Sequence, residues 1–238
     1  MTEPIPGAPG NAARDGDARW ADASLAARIL PAGEPRSIEA AIDALELGEL
    51  VGIPTDTVYG IAALATQEGV RRLIAAKQRD AAKGIPLLID SLDQLTGVAS
   101  VPPAARRLAE RYWPGPLTLV LPLRDPRSAS ALLTGGRATI AVRVPDHAVA
   151  RALARALGPI AVSSANLSGE QAARTAREAL DALGDRVALV VDGGSSPGGV
   201  ASTVVEVLDS GPPTVLREGA IPASEIEAAA GPGYTAVP

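Results

Sequence analysis

Short, almost wholly apolar runs alternate with amphipathic segments along residues 34–222 of this chain. The amphipathic segments predict helices over 37–47, 69–77, 146–157 and 175–183. The apolar runs are too short for helices and predict strands at 50–53, 58–64, 86–89, 117–121, 139–144, 159–163, 187–191, 203–207 and 214–216. Strands that are apolar throughout must be covered on both sides, so the alternation predicts an α/β protein (α+β in some schemes) with helices on both faces of one sheet.

Local signals refine this prediction. The last strands are closely spaced, which favours antiparallel pairs and therefore a mixed sheet. Ser37 and Asp146 are predicted N-caps, and Thr175 with Glu178 forms a capping box. The glycine-rich segment 192–199 lacks the spacing of a phosphate-binding loop, so we interpret it as a flexible hairpin loop.

The two ends of the chain differ in composition from its centre. We predict an N-terminal extension over residues 1–33, partly disordered because residues 1–16 are rich in Pro, Gly, Ala and Asp without periodicity. Residues 34–222 form the predicted domain, and residues 223–238 a predicted C-terminal tail.

Composition excludes several classes of site. The chain has no Cys and one His, which removes thiolate metal sites and a Cys nucleophile and argues against a His-based metal site. A net charge of -5 argues against an extended nucleic-acid surface, although a small basic pocket for an anion remains compatible with it. No apolar run is long enough to span a bilayer and no signal peptide is evident, so we expect a cytoplasmic protein without a membrane partner.

Lysine usage marks one segment. Of 22 basic residues only Lys77 and Lys83 are lysines, and they flank Arg79 within seven residues. Lys77 continues the apolar stripe of its predicted helix, so its ammonium either snorkels to an edge or points into a cleft. The three cations can neutralise a polyphosphate, or they can form a solvated loop tip.

Arg143 lies in a predicted strand, on the same face as Thr139 and Ala141. If both faces of the sheet are covered, this guanidinium needs an anionic partner. A substrate carboxylate or a structural Asp or Glu would satisfy it.

Small polar residues lie next to two other predicted strands, after the end of one and at the start of the other. Ser164 and Asn166 come directly after a strand, where phosphate can be bound, but an ordinary capped turn has the same composition. Ser202 lies at the start of the predicted strand 203–207 and is weak evidence alone. A hydrolase triad with His147 is disfavoured, because the chain has no G-x-S-x-G elbow.

Six motifs occur in an order that resembles a known family. They are Pro54-Thr55-Asp56-Thr57-Val58-Tyr59-Gly60, Lys77-x-Arg79, Trp113-Pro114-Gly115-Pro116-Leu117-Thr118, Val142-Arg143-Val144-Pro145, Ser164-Ala165-Asn166 and Ser202-Thr203-Val204. Together they are similar to those of the YrdC-like threonylcarbamoyl-AMP synthases, over about residues 37–221. The resemblance implies an open twisted mixed sheet of the YrdC/RibB-like fold with a basic concave pocket.

The resemblance also implies an activity and its partners. Family members make threonylcarbamoyl-AMP from L-threonine, bicarbonate and ATP, with Mg²⁺ expected beside ATP, and release pyrophosphate. Other proteins then transfer the threonylcarbamoyl group to tRNA adenosine, so we expect contact with tRNA to be weak or indirect. The resemblance assigns Lys77 and Arg79 as catalytic. The ATP-binding residues that it implies are Lys77, Arg79, Thr139, Ser164, Asn166 and Arg217, and the clustering of positive charge adds Lys83 to this set. The implied threonine-binding residues are Thr55, Thr57, Arg143 and Ser202.

Two features leave alternatives open. Asp80 stands where the family commonly has Pro or Ser, and an acid beside a triphosphate must point away or help to hold Mg²⁺. No residue is an evident general base, and no metal ligand can be assigned. A nucleotide- or RNA-binding module without synthase activity, or a paralogue acting on another carbamate or carboxylate, would share these motifs.

Overall fold

A single sheet of ten strands organises the protein. The computed structural model describes residues 28–197 and 199–230. The strands are β1 (Ile29–Pro31), β2 (Val51–Ile53), β3 (Gly60–Leu64), β4 (Leu87–Leu88), β5 (Leu117–Pro122), β6 (Thr139–Arg143), β7 (Ile160–Ser164), β8 (Leu189–Asp192), β9 (Thr203–Glu206) and β10 (Thr214–Arg217). Every strand predicted from the sequence is present, with ends shifted by at most two residues.

Seven α-helices connect and cover the strands. They are α1 (Pro35–Glu46), α2 (Gln67–Lys77), α3 (Pro103–Tyr112), α4 (Ala131–Thr134), α5 (Ala148–Leu157), α6 (Ala176–Leu183) and α7 (Ala223–Ala230). Helices α3, α4 and α7 were not predicted. Within the described residues no helix is both long and apolar enough to cross a bilayer.

The sheet is mixed, as predicted. Its strand order is β1-β8-β2-β3-β7-β4-β6-β5-β9-β10. β1 and β2 both run parallel to β8, and β4–β6 and β5–β9 are also parallel, whereas the other neighbours are antiparallel. The prediction of a hairpin loop over residues 192–199 is wrong, because β8 and β9 lie near opposite edges and this segment crosses from one to the other.

Helices cover both faces, which confirms the predicted α/β class. Leu45 of α1 and Leu153 of α5 pack on one face with Ile53 and Val191. Val70, Leu108, Leu180 and Ile226 of α2, α3, α6 and α7 belong to the core on the other face, together with Val190. Neighbouring residues of β8 thus enter different cores, because successive side chains of a strand point to opposite sides.

Helix starts differ partly from the predicted caps. Ser37 is not the N-cap of α1, which begins two residues earlier at Pro35, a residue favoured in the first turn. Asp146 is not the N-cap of α5, because Nδ1 of His147 accepts the hydrogen bond from the Val149 amide. The predicted cap at Thr175 is confirmed: its Oγ1 accepts from the Glu178 amide at 3.2 Å.

The folded elements extend beyond the predicted domain boundaries. β1, inside the predicted extension 1–33, pairs with β8. α7, inside the predicted tail 223–238, is held to α3 by a hydrogen bond of 2.7 Å from Arg107 Nη2 to the Ala230 carbonyl. The predicted disorder of residues 1–16 and the last part of the tail lie outside the described residues.

Candidate functional site

A cavity of about 510 Å³ lies on the face of the sheet formed by β5, β6 and β9. Its size lies within the range of small-molecule sites. Alternate residues of each strand point into it: Thr118 and Val120 of β5, Thr139, Ala141 and Arg143 of β6, and Val204 and Glu206 of β9 with Ser202 just before that strand. The face predicted for Arg143 is therefore the cavity face.

Thr55 and Thr57 form a tight buried turn after β2. Oγ1 of Thr55 donates to the Val58 carbonyl at 2.6 Å and accepts from the amides of Thr57 and Val58. The Thr55 carbonyl accepts from Oγ of Ser196, at 3.0 Å. The crossing segment between β8 and β9 therefore fixes this turn, and both threonines line the cavity.

Arg143 has a structural acid, Asp56, as its anionic partner, which is one of the two kinds that the sequence left open. Its Nε donates to the Gly115 carbonyl at 2.9 Å, its Nη1 to Oγ1 of Thr57 at 3.0 Å and its Nη2 to Asp56 at 2.6 Å. Burial lowers the pKa of Arg143, and Asp56 opposes that effect. A guanidinium has five N–H donors, so two remain for a ligand.

Ser202 lies where β9 meets β5. Its hydroxyl is 2.8 Å from Oγ1 of Thr118, and its carbonyl accepts from Nη2 of Arg217 at 2.8 Å. Thr203, the next residue, points away from the cavity and binds the segment after β10 through the Ile221 carbonyl and the amides of Gly219 and Ile221. These contacts set the position of Arg217 over the cavity.

Lys77 is 1% exposed and lies behind the cavity wall. Its ammonium donates to the backbone carbonyls of Ser164 and Asn166. Burial lowers its pKa to about 8, and the charge of Arg79 adds to this effect. The predicted position on the apolar stripe of α2 is confirmed, whereas contact between Lys77 and ATP stays a prediction because Lys77 is not among the residues that line the cavity.

Arg79 and Lys83 line the cavity at its rim. Nη2 of Arg79 donates to the Gly84 carbonyl at 3.2 Å, while its buried Nε has no hydrogen-bond partner among the described residues. Burial and the nearby charge of Arg217 lower the pKa of Arg79. A bound anion would accept a hydrogen bond from this unpaired Nε and would offset the repulsion between the neighbouring positive charges.

Asp80 does not line the cavity. Its carboxylate accepts from the Ala82 amide at 3.0 Å and caps the short 3-10 turn Ala81–Lys83. The acid that departs from the family pattern is exposed and serves the turn that carries Lys83. It therefore points away from the cavity, one of the two outcomes expected for it.

Ser164 and Thr139 line the cavity, whereas Asn166 is buried beside it. Nδ2 of Asn166 donates to the carbonyls of Leu167 and Glu170, at 2.7 and 2.9 Å. Asn166 thus orders the turn after β7, and its contact with ATP stays a prediction.

The structure adds residues that the sequence reading missed. Arg137, Thr118 and Glu206 line the cavity. Arg137 and Glu206 share strand parity with Thr139 and Ser202, so period-two spacing was the available signal. The imidazole of His147 caps α5, and burial lowers its pKa against the charges of Asp56 and Asp146.

Comparison with known proteins identifies the family of this chain. The Sua5/YciO/YrdC family model, described as "Telomere recombination", matches residues 43–219. This chain belongs to that family. Two relatives named threonylcarbamoyl-AMP synthase are 42% identical over 76% of the chain (Pyrococcus abyssi) and 41% identical over 85% (Bacillus subtilis).

This chain spans little more than half the length of these two relatives. The chain covers 53% of the Pyrococcus abyssi protein and 59% of the Bacillus subtilis protein. A Mycobacterium tuberculosis relative, 40% identical over 82% of the chain, is covered to 90% of its length. Sua5/YciO/YrdC domains therefore occur both with and without a long additional region.

Solved structures agree on the fold. The crystal structure of Pyrococcus abyssi Sua5 complexed with L-threonine has a TM-score of 0.81 at 36% identity, covering 88% of this chain and 62% of that chain. Escherichia coli YciO has a TM-score of 0.73 at 26% identity, covering 83% of this chain and 97% of its own.

Proposed function

We propose that this protein makes L-threonylcarbamoyl-AMP from L-threonine, bicarbonate and ATP and releases pyrophosphate, as a nucleotidyltransferase. The observation that carries the proposal is one cavity in which Arg143, framed by hydroxyls, lies near a second group of cations. Arg79, Arg143 and Arg217 all line this cavity, so the two groups face the same space. Two anionic reactants that must meet require such a site.

In this proposal Arg143 binds the carboxylate of threonine. Its two remaining N–H groups are available to an acid, and the hydroxyls of Thr55, Thr57 and Ser202 surround that position. The relative solved with L-threonine supports this choice of amino acid.

The ATP-binding residues are proposed as Lys77, Arg79, Lys83, Thr139, Ser164, Asn166 and Arg217. Arg79, Lys83 and Arg217 offset the charge of the phosphates from the cavity side. Lys77 and Asn166 act from behind the wall, where they hold the end of β7 at Ser164 and the turn that follows it. Lys77 and Arg79 are the proposed catalytic cations.

In this proposal the reaction has two steps. The threonine amine attacks bicarbonate and gives an N-carboxylate and water. An oxygen of this carboxylate then attacks the α-phosphorus, and the bond to the β-phosphate breaks as pyrophosphate leaves. Arg79 and Lys83 stabilise the charge that grows on the leaving group. No general base is assigned.

The cavity residues do not fit a magnesium ion held by the protein. Among residues 28–197 and 199–230 no group of three or more His, Asp or Glu side chains could hold a metal. Mg²⁺ therefore enters the proposal only as the counterion of the ATP phosphates, and no step depends on protein ligands to it.

The product passes to tRNA threonylcarbamoyl-transferase proteins, which consume the adenylate. Contact with tRNA is indirect in this proposal, in keeping with a net charge of -5. A cytoplasmic location, expected from the sequence, belongs to the same proposal.

The decisive experiment supplies the purified protein with ATP, L-threonine, bicarbonate and Mg²⁺. Pyrophosphate release should require both threonine and bicarbonate, and mass spectrometry should detect threonylcarbamoyl-AMP. Nucleotide binding without threonine-dependent pyrophosphate would instead favour a binding module, and release with another carboxylate would favour a paralogue.

A further inference from the structure

Glu206 is an acid in a cationic cavity. The other charged side chains that line this cavity in the described part of the chain are Arg79, Lys83, Arg137, Arg143 and Arg217. Glu206 is half-buried, and its carboxylate makes no hydrogen bond or ion pair with any described residue. An unpaired carboxylate that faces a cavity is free to accept hydrogen bonds from a ligand.

The strand register places Glu206 at one end of an apolar floor. It lies opposite Val120 of β5, which lies opposite Ala141 of β6. Val204, two residues earlier in β9, continues this floor. Leu216, which is 53% exposed, adds apolar surface to the same cavity. Such a floor suits the flat face of a nucleobase and one side of a sugar.

Glu206 is remote from the part of the cavity proposed to bind threonine. Ser202 is four residues away on the same strand, which corresponds to roughly 13 Å at about 3.3 Å per residue. A carboxylate beside the phosphates would repel them, so the position of Glu206 suits the uncharged nucleoside end of the nucleotide.

A nucleoside offers two kinds of hydrogen-bond donor to the Glu206 carboxylate, the ribose hydroxyls and the amino group of adenine. The ribose has two neighbouring hydroxyls, and the two oxygens of one carboxylate can accept both. The amino group of adenine is flanked by ring nitrogens with lone pairs, which would repel a carboxylate. Acidic residues bind ribose hydroxyls in other nucleotide folds for the same reason.

We propose that Glu206 binds the ribose hydroxyls of the nucleotide and makes this site selective for ribonucleotides over 2′-deoxyribonucleotides. This inference rests on the proposed use of ATP and names the residue that selects its sugar. Hydrogen bonds to a charged acceptor typically change affinity by roughly tenfold to a hundredfold.

The test compares ATP with 2′-deoxy-ATP in the wild-type protein, in Glu206→Ala and in Glu206→Gln. We measure kcat/KM for pyrophosphate release and, separately, the dissociation constant of each nucleotide by calorimetry. The wild-type protein should prefer ATP by roughly tenfold or more. Glu206→Ala should bring the ratio close to one by losing affinity for ATP, and Glu206→Gln should give an intermediate ratio, with the KM for threonine unchanged.

Controls separate the possible outcomes. Glu39→Ala, an exposed acid on α1, should keep the wild-type ratio. An unchanged ratio in Glu206→Ala would overturn the proposal. So would an equal loss for both nucleotides that added Mg²⁺ restores, which would indicate a metal contact. If the wild-type protein binds ATP but releases no pyrophosphate, the synthase proposal fails, whereas the calorimetric ratio still decides the role of Glu206.

Discussion

Asp56 and Arg143 form an ion pair of 2.6 Å whose side chains are only 12% and 7% exposed. Asp56→Ala would leave the guanidinium buried without its counter-charge, which typically costs about 3–5 kcal/mol. We therefore expect the free energy of unfolding, measured in urea, to fall by an amount in this range.

The pair Arg177–Asp181 on α6 provides the matched control. Both of its side chains are more than half exposed. Asp181→Ala should change the free energy of unfolding by less than about 0.5 kcal/mol, because water screens such pairs. Equal losses in both variants would contradict the role of burial.

Arg79→Ala should separate binding from stability. Arg79 makes one side-chain hydrogen bond, to Gly84, and carries an unpaired buried Nε, so its removal should leave the free energy of unfolding within about 1 kcal/mol of wild type. Affinity for ATP, measured by calorimetry, should fall at least about tenfold. Arg71→Ala, on the exposed side of α2, should change neither quantity. Retained ATP affinity in Arg79→Ala would sink the phosphate assignment.

Lys77 should give the protein a distinctive pH dependence. Burial lowers its pKa to about 8, whereas in the unfolded chain it is close to 10.5. Between these values the unfolded state binds more protons, so the contribution of Lys77 to stability rises with pH through this window. The cost of burying its charge is full below about pH 8 and absent above about pH 10.5.

The comparison with Lys77→Met isolates this effect. The difference in unfolding free energy, wild type minus variant, should rise by roughly 3 kcal/mol across the window. A flat difference would mean that the hydrogen bonds to Ser164 and Asn166 hold the ammonium at its ordinary pKa. Because Lys77 is buried, the folding of Lys77→Met must be checked before its activity is interpreted.

Thr203→Val should loosen the segment that carries Arg217. The change removes the acceptor for the amides of Gly219 and Ile221 and the donor to the Ile221 carbonyl. Unpaired buried groups cost about 1–3 kcal/mol each, so we expect a loss of roughly 2–4 kcal/mol in thermal or urea unfolding. Thr203→Ser keeps the hydroxyl and should lose about 1 kcal/mol or less. A loss in the serine variant as large as that in valine would assign the effect to packing instead.

Local patterns predicted what depends on local physics. The apolar stripe placed Lys77 inward, strand parity placed Arg143 with Thr139, and a capping box marked the start of α6. The sequence also contains a signal for α3, namely a proline in the first turn and apolar residues Ala105 and Leu108 at helical spacing. The many charged residues of this segment obscured that signal.

Other features depend on which distant strands become neighbours. Glu206 enters the cavity only because β9 lies beside β5, and the segment 192–199 crosses the sheet only because β8 pairs with β1 and β2. Nothing in the residues near Asp56 indicates that Arg143 is its partner, since the pair is separated by 87 positions. Non-local pairing of this kind is invisible to periodicity.

The crossing segment between β8 and β9 has a consequence for how the site comes into being. It anchors the Thr55 turn through Ser196 and then leads directly to Ser202 and Glu206. When a ribosome has synthesised only the first 190 residues, Arg79 and Arg143 are present, but the strand that completes the wall of their cavity, β9, is not. We therefore expect the nascent chain to bind ATP only after β9 has been synthesised. A chain shortened before β9 should not bind ATP.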